Sequence, residues 1–429
     1  MDKEMKARAA LVGIIRSSRE AEECDRSLAE LKRLVETAGG EAVVTLVQVK
    51  EAFSPATCLG KGKVEELRDL CQRHELTLCV FDFELSPSQI RNLEEGVGVR
   101  VIDRTMLILD IFALHAVTGE GKLQVELAQL RYTAPRLTGQ GQALSRLGGG
   151  IGTRGPGETK LETDRRHIHR RIVALENAIR EMSDTRRTMR AARDRSGVPK
   201  VAIVGYTNAG KSTLLNYLTN AGVLSEDKLF ATLDPTTRRL TLPEGEEVLV
   251  TDTVGLIRRL PHYLVKAFRS TLDEASYADV LMIVADASDD ECEEHLLVTR
   301  SLLSELNAAD KPTLLVYNKC DRAAFAEHFP AGDDDTVFIS AKTGAGIDAL
   351  LRALLCKIRD GKRRVGFLFP YTAQSRLNAL LTASPAESVD YRDDGVYVTA
   401  VIGRDIYGAF RDYAVSGDEG FRTGGEDDA

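Results

Sequence analysis

Two stretches of this chain carry residue types and spacing suited to gripping phosphate. "GYTNAGKST" (Gly205–Thr213) and "GTRGPGETK" (Gly152–Lys160) each set two glycines five residues apart, followed two residues later by a serine or threonine. In the first, Gly205 and Gly210 let the backbone wrap closely, so that the N–H groups of Tyr206, Thr207, Asn208 and Ala209 and the start of the next helix face an anion. Lys211 would neutralise β- and γ-phosphate oxygens, the Ser212 hydroxyl would ligate Mg²⁺, and Thr213 follows in the helix. In the second, Glu158 stands where the first has Lys211, and a carboxylate there repels phosphate. It also follows a helical stretch instead of a strand. The first stretch is the cradle, and the second needs another use.

Three further motifs follow the cradle, at the ends of apolar strands. "DTVG" (Asp252, Thr253, Val254, Gly255) ends a strand with a metal-side aspartate, and Gly255 can offer its N–H to a γ-phosphate. "NKCD" (Asn318, Lys319, Cys320, Asp321) follows "TLLVY". A carboxylate at Asp321 accepts both guanine N1–H and N2–H, a donor pair that adenine does not offer. "SAK" (Ser340, Ala341, Lys342) can add a backbone contact to the base carbonyl. The ligand read from these residues is GTP or GDP with Mg²⁺, and the reaction is hydrolysis of GTP to GDP and phosphate. Lys211 and Gly255 would serve the γ-phosphate. Where many GTPases carry a water-orienting glutamine, this chain has Leu256. An aliphatic group cannot orient water, so unassisted turnover should be slow, about 10⁻⁴–10⁻² s⁻¹.

The elements that must position these residues follow from pattern. The 429 residues allow about three domains. Up to about residue 115, strand-like "AALVGIIR", "EAVVTLVQV" and "LTLCVFDF" alternate with helical stretches, a small α/β domain. Over 116–197, Leu123, Leu127, Leu130, Ala134 and Leu137 recur at alternating spacings of four and three, with Leu144 and Leu147 continuing. Leu161, Ile168, Leu175, Met182 and Met189 then recur every seven. Two apolar stripes joined by a glycine-rich piece describe a long antiparallel helical hairpin, kinked at Pro135 and tipped by "GGGIGTRGPGETK". Residues 198–361 read as a parallel sheet covered on both faces. A small α+β domain follows over 364–415, and 416–429 should be a disordered tail.

The net charge of −8 conceals an asymmetry: residues 131–200 hold sixteen Lys and Arg against seven Asp and Glu. A basic arm on an acidic body suggests an anionic partner. The seven cysteines show no metal spacing and read as reduced thiols of a cytoplasmic protein. No run is long enough for stable membrane insertion.

With those motifs in place, the chain resembles translation-factor-class GTPases of the Obg–HflX group, and the HflX type in particular. "GYTNAGKS", "FATLDPTTR", "DTVG", "NKCD" and "SAK" carry the likeness, and "LQVELAQLRY" and "GGGIGTRGPGETKLETDRR" are its more specific signals. The resemblance implies GTP hydrolysis linked to the large ribosomal subunit and its rRNA, in ribosome splitting, translation or biogenesis, by a monomer that does not bind DNA. It implies that Phe230, Ala231, Thr232, Leu233 and Asp234 lie against the nucleotide, with Thr232 a Mg²⁺ ligand and catalytic residue when GTP is bound. Residue types alone leave Thr232, Thr236 and Thr237 equivalent. Asn208 resembles the asparagine of K⁺-stimulated GTPases, and a plain loop hydrogen bond is the other use for it. The arm has two readings: one that holds RNA phosphates, and one that docks a protein.

Overall fold

The structure is a computed structural model of the chain, and it describes residues 6–135, 165–183, 198–219, 229–230, 233–258, 274–322, 335–359 and 362–415. The glycine-rich tip, Ala231, Thr232 and the 416–429 tail lie outside the described residues, together with the expectations placed on them.

Strands β1 (Arg8–Ile15), β2 (Glu41–Val49), β3 (Leu78–Phe81) and β4 (Arg100–Asp103) pair in parallel in the order β2-β1-β3-β4. Parallel neighbours need crossovers, and α1 (Ala21–Thr37), α2 (Lys61–Arg73) and α3 (Pro87–Val97) supply them. α1 buries Cys24, Leu28, Leu31, Leu34 and Val35, the stripe of a helix with one apolar face. α3 begins at a capping box between Ser86 and Gln89 and ends at Gly98 in the left-handed region, φ +82°.

α4 (Arg104–His115) starts straight from β4, with the Asp103 carboxylate accepting from Met106 N at 2.9 Å. Thr118 caps α5 (Gly119–Thr133), which places Val125, Ala128 and Tyr132 in the N-terminal core. The Tyr132 hydroxyl donates to Asp103. The start of the helical segment is therefore packed into the N-terminal core. Where a kink at Pro135 was expected, the α-helix stops at Thr133, and residues 134–135 wind into a tighter turn. The proline ring clashes with the turn before it and has no N–H to continue the ladder. A further helical stretch, α6 (residues 165–183), lies beside α5. Arg171 forks onto Glu126 at 2.7 and 2.8 Å, and Arg131 pairs with Glu176 at 2.5 Å.

The second sheet contains β5 (Lys200–Gly205), β6 (Thr236–Thr241), β7 (Glu247–Asp252), β8 (Val280–Asp286), β9 (Thr313–Asn318) and β10 (Thr336–Phe338). Its order is β10-β9-β8-β5-β7-β6, with β6 antiparallel to β7 and the other pairs parallel. The helices α7 (Lys211–Thr219), α8 (Cys292–Glu305) and α9 (Ile347–Arg359) follow its strands. The sheet has the α/β form expected of a P-loop GTPase. A third, antiparallel sheet, β11 (Lys362–Phe369), β13 (Gly395–Gly403) and β12 (Ala386–Arg392), packs α10 (Gln374–Ala383) and α11 (Arg404–Phe410) around Phe367, Phe369 and Phe410.

The first two units share a core. Tyr206, Leu229, Phe230, Leu233, Val254 and Ile257 join the cluster formed by α1, α4 and α5. Among the described residues, no helix is long and apolar enough to cross a membrane.

Candidate nucleotide site

The cradle turns between β5 and α7. A Cβ at Gly205 (φ +151°) would lie 2.1 Å from the Val284 carbonyl oxygen, and one at Gly210 (φ +93°) would lie 2.2 Å from Asn318 Nδ2. Only glycine fits either position. Asn318 explains the tightness at Gly210. Its amide nitrogen donates to the Ala209 carbonyl at 2.9 Å, and its amide oxygen accepts from Ala341 N at 2.9 Å. One buried side chain thus ties the cradle, "NKCD" and "SAK" together.

Beside it, the Ser340 hydroxyl donates to Asp321 Oδ1 at 2.7 Å. That hydrogen bond, helped by Lys342 and Arg322 nearby, holds the exposed Asp321 carboxyl below its ordinary range. Lys319 pairs with Asp286 at 2.7 Å. The Cys320 thiol donates to the Tyr317 carbonyl, and burial pushes it up to about 11.

At the phosphate end, the Ser212 hydroxyl donates to Asp252 Oδ2 at 2.6 Å. The Lys211 ammonium donates to the carbonyls of Tyr206 (2.8 Å) and Gly205 (3.2 Å). Burial pushes its pKa down to about 8, Asp252 opposing and Lys319 reinforcing the shift. "DTVG" runs beside the cradle: Thr207 N donates to the Leu256 carbonyl at 2.7 Å, and Leu256 N to the Gly205 carbonyl at 3.1 Å. A Cβ at Gly255 would lie 2.8 Å from Thr207 Cγ2 and 3.1 Å from Lys211 Nζ. Thr253 and Val254 serve the sheet and core: the Thr253 hydroxyl donates to the Ile203 carbonyl at 2.7 Å, and Val254 is buried. Thr213 sits in the first turn of α7. Four loops thus converge, with oxygen ligands and a cation at one end and a carboxylate at the other.

Residues 25–113 match the family described as GTP-binding GTPase N-terminal, 115–193 the GTP-binding GTPase Middle Region, and 200–319 the 50S ribosome-binding GTPases. The GTPase HflX of Lacrimispora saccharolytica is 48% identical over 96% of this chain and 97% of its own length. That of Escherichia coli is 47% identical over 76% and 78%. The chain belongs to the HflX GTPase family. It binds GTP and hydrolyses it. Among solved structures, a GTP-binding protein from Sulfolobus solfataricus in complex with GDP is 24% identical, with a TM-score of 0.43, over 83% of this chain and 99% of that one.

For an HflX-family GTPase, the placement of Leu256 matters. It is buried beside Leu302 of α8 and Leu306 just past that helix, with Val298 packed against them. A side chain held in an apolar pocket reaches no water at a phosphate.

Phe230, Leu233 and Asp234 are held differently from the cradle. Phe230 is buried and meets Phe112 of α4 edge-on, with ring centroids 4.8 Å apart. Leu233 is buried in the same shared core. Asp234 accepts from Val117 N (2.9 Å), Thr118 N (2.8 Å) and the Thr118 hydroxyl (2.5 Å), covering the start of α5. The side chains of Phe230, Leu233 and Asp234 are thus given to the N-terminal unit.

Sequence reading missed the polar joint between the units. The hydroxyl of Tyr206, a cradle residue, donates to Glu30 of α1 and accepts from Arg258 N at 2.7 Å. Burial, then the Glu30 charge, push its pKa up. Glu30 and Asp82 clamp Arg104, whose side chain is 3% exposed. His295 of α8 stacks on Tyr206 at 3.7 Å, and burial pushes its pKa down. No local spacing marks this network, because its members are scattered over some 270 residues of chain. The one available signal was an arginine at the head of the apolar run "RTMLILDIF".

Proposed function

We propose that this GTPase holds GTP across the four converging loops and uses the cycle to govern contact with the large ribosomal subunit through its rRNA. Asp321, aligned by Ser340, reads guanine. The Asn318 staple fixes the distance between base and phosphates. Lys211 serves the β- and γ-phosphates, and Gly255 serves the γ-phosphate. The oxygens of Ser212, in the first turn of α7, and Asp252, at the end of β7, lie 2.6 Å apart and are hard ligands that suit Mg²⁺. With Thr232 they would hold the ion, which supplies positive charge to the phosphate oxygens. Asn208, on the cradle at φ +61°, would help hold K⁺; a plain loop hydrogen bond is the other use for it. Equal GTPase rates in KCl and NaCl would remove that role.

The observation that carries the reading of the site is the staple by one buried amide. The reading of the partner rests on the family matched over 200–319, described as ribosome-binding, and on the basic segment 131–200. Arg154 and Lys160 would supply charge at the tip, and the arginines flanking it would hold RNA phosphates. The site of action is then the cytoplasm.

Asp234 links the two halves of this function. It belongs to the stretch that the nucleotide state would move, and it holds the start of α5, the root of the arm.

The test is co-sedimentation with purified large subunits, with a GTP analogue against GDP, over a salt series. Binding that prefers the analogue and falls steeply with salt is expected, each phosphate contact adding about 0.7–0.9 to the log–log slope. Deleting Gly149–Gly157 should abolish it and spare GTP binding. Binding insensitive to salt would favour the protein-docking arm instead.

A further inference from the structure

α1 carries Arg26, Glu30, Arg33 and Thr37 at intervals of four, three and four residues, which places them on one helical face. That face looks at the G unit, and its earlier members are engaged there. Arg26 pairs with Glu294 at 2.9 Å and Glu291 at 3.3 Å. Glu30 accepts from the Tyr206 hydroxyl of the cradle and from Arg104. Arg33 comes next along the stripe. It is exposed, and its guanidinium makes no hydrogen bond or ion pair with any described residue.

What Arg33 faces is the cradle. Together with Asn208 and Leu229 it lines two adjoining cavities of about 600 and 360 Å³ between α1 and the G unit. The charges there are mixed. Asp286 is tied to Lys319 at 2.7 Å, and Asp289 accepts from Glu291 N at 3.0 Å. Glu36 and Asp290 remain against Arg33 and Arg322, so charge alone does not attract an anion. Position singles Arg33 out. It is the cation of the helix face already fastened to the phosphate loop, three residues beyond the Glu30–Tyr206 bond.

We infer that Arg33 completes the nucleotide site from the N-terminal unit, donating to phosphate oxygens of the nucleotide where the chain passes Asn208. This rests on the reading that Gly205–Ser212 is the cradle. A guanidinium offers a planar fork of donors matched to phosphate. Positive charge at the phosphates is the kind of help most wanted where Leu256 gives the reacting water none. Because α1 is fastened by Arg26 and Glu30, Arg33 reaches the nucleotide only while the two units are docked. Nucleotide affinity then reports on the docking.

The experiment uses the full-length protein and compares Arg33→Ala and Arg33→Lys with the wild type. It measures binding of GTP, GDP and guanosine, and GTP turnover at saturation. Arg33→Ala should lose about five- to tenfold in affinity for GTP and GDP, while guanosine, which has no phosphate, binds as to the wild type. Arg33→Lys should recover part of the loss, because it restores the charge without the fork. Unchanged GTP and GDP affinity and turnover in Arg33→Ala would overturn the inference, and so would an equal loss for guanosine, which marks a purely structural role. Lys211→Ala runs in parallel: if it abolishes GTP binding while Arg33→Ala behaves as wild type, the cradle stands and the Arg33 inference alone falls.

Discussion

The cradle and the described residues of 229–234 are held in opposite ways. The cradle is fastened inside its own unit: Asn318 spans to Ala209 and Ala341, Ser340 to Asp321, and Ser212 to Asp252. Phe230 and Asp234 are fastened to another unit, on Phe112 and on the start of α5. The loops that carry the base and phosphate motifs are therefore braced within the G unit. Anything that moves residues 229–234 must also work against the N-terminal core. Tyr206 is the exception that joins the regimes, a cradle residue whose hydroxyl belongs to Glu30.

The hardest blow to the joint is Arg104→Met. It leaves the Glu30 and Asp82 carboxylates without their shared cation, at a cost of about 3–5 kcal/mol. Urea unfolding followed by far-UV dichroism should show the loss. A variant as stable as wild type would mean that the joint contributes little.

Asp321→Asn attacks the other region. It should reduce GTP affinity by about a hundredfold and raise preference for xanthosine triphosphate, because the amide cannot accept both guanine donors. The N-terminal unit should be unaffected, as judged by an unchanged urea midpoint. Competition binding with ATP, XTP and GTP decides it, and retained guanine selectivity would break the assignment.

A smaller effect belongs to Asp234→Ala. It removes an acceptor from two backbone N–H groups and a hydroxyl at the start of α5, worth about 1 kcal/mol. Amide exchange at Val117 and Thr118 should quicken while GDP affinity stays within about twofold of wild type. Equal exchange rates would sever the proposed link between 229–234 and the arm.

The smallest effect lies in pH. Lys211 sits near 8, below an ordinary lysine. A lysine depressed in the folded state costs stability below that pH, and the cost fades as pH rises towards the ordinary lysine range. A bound phosphate favours the ammonium, so binding should take up a proton above about pH 8, and affinity should fall as pH rises. Calorimetric titration of GDP in buffers of different ionisation enthalpy measures that uptake. No buffer dependence at pH 9 would show that Lys211 stays charged throughout.

Much of the site was legible in sequence because its parts are local. "GYTNAGKS" needs only two glycines, a lysine and a serine at fixed spacing between a strand and a helix, and the backbone does the rest. The unbroken apolar strands of 198–361 likewise pointed to a parallel sheet, since burial on both faces demands such runs; the exception is β6, which runs antiparallel to β7. The same local logic found Asp321, but it could not see that Asn318 is the staple, because Ala209 and Ala341 lie 109 and 23 residues away.

Sequence by itself determined the chemistry of the loops and the unsuitability of "GTRGPGETK" as a cradle, since a carboxylate at Glu158 repels phosphate wherever the chain puts it. Only tertiary structure decided where the units meet. Tyr206 lies in the cradle motif, Leu256 beside "DTVG", and the resemblance sets Phe230 and Asp234 near the nucleotide; their side chains pack on Glu30, on Leu302 and Leu306, on Phe112 and on the start of α5 respectively. Those partners follow from the packing of one sheet's helices against another's. Burial of apolar surface has no direction of its own and leaves no period in the chain.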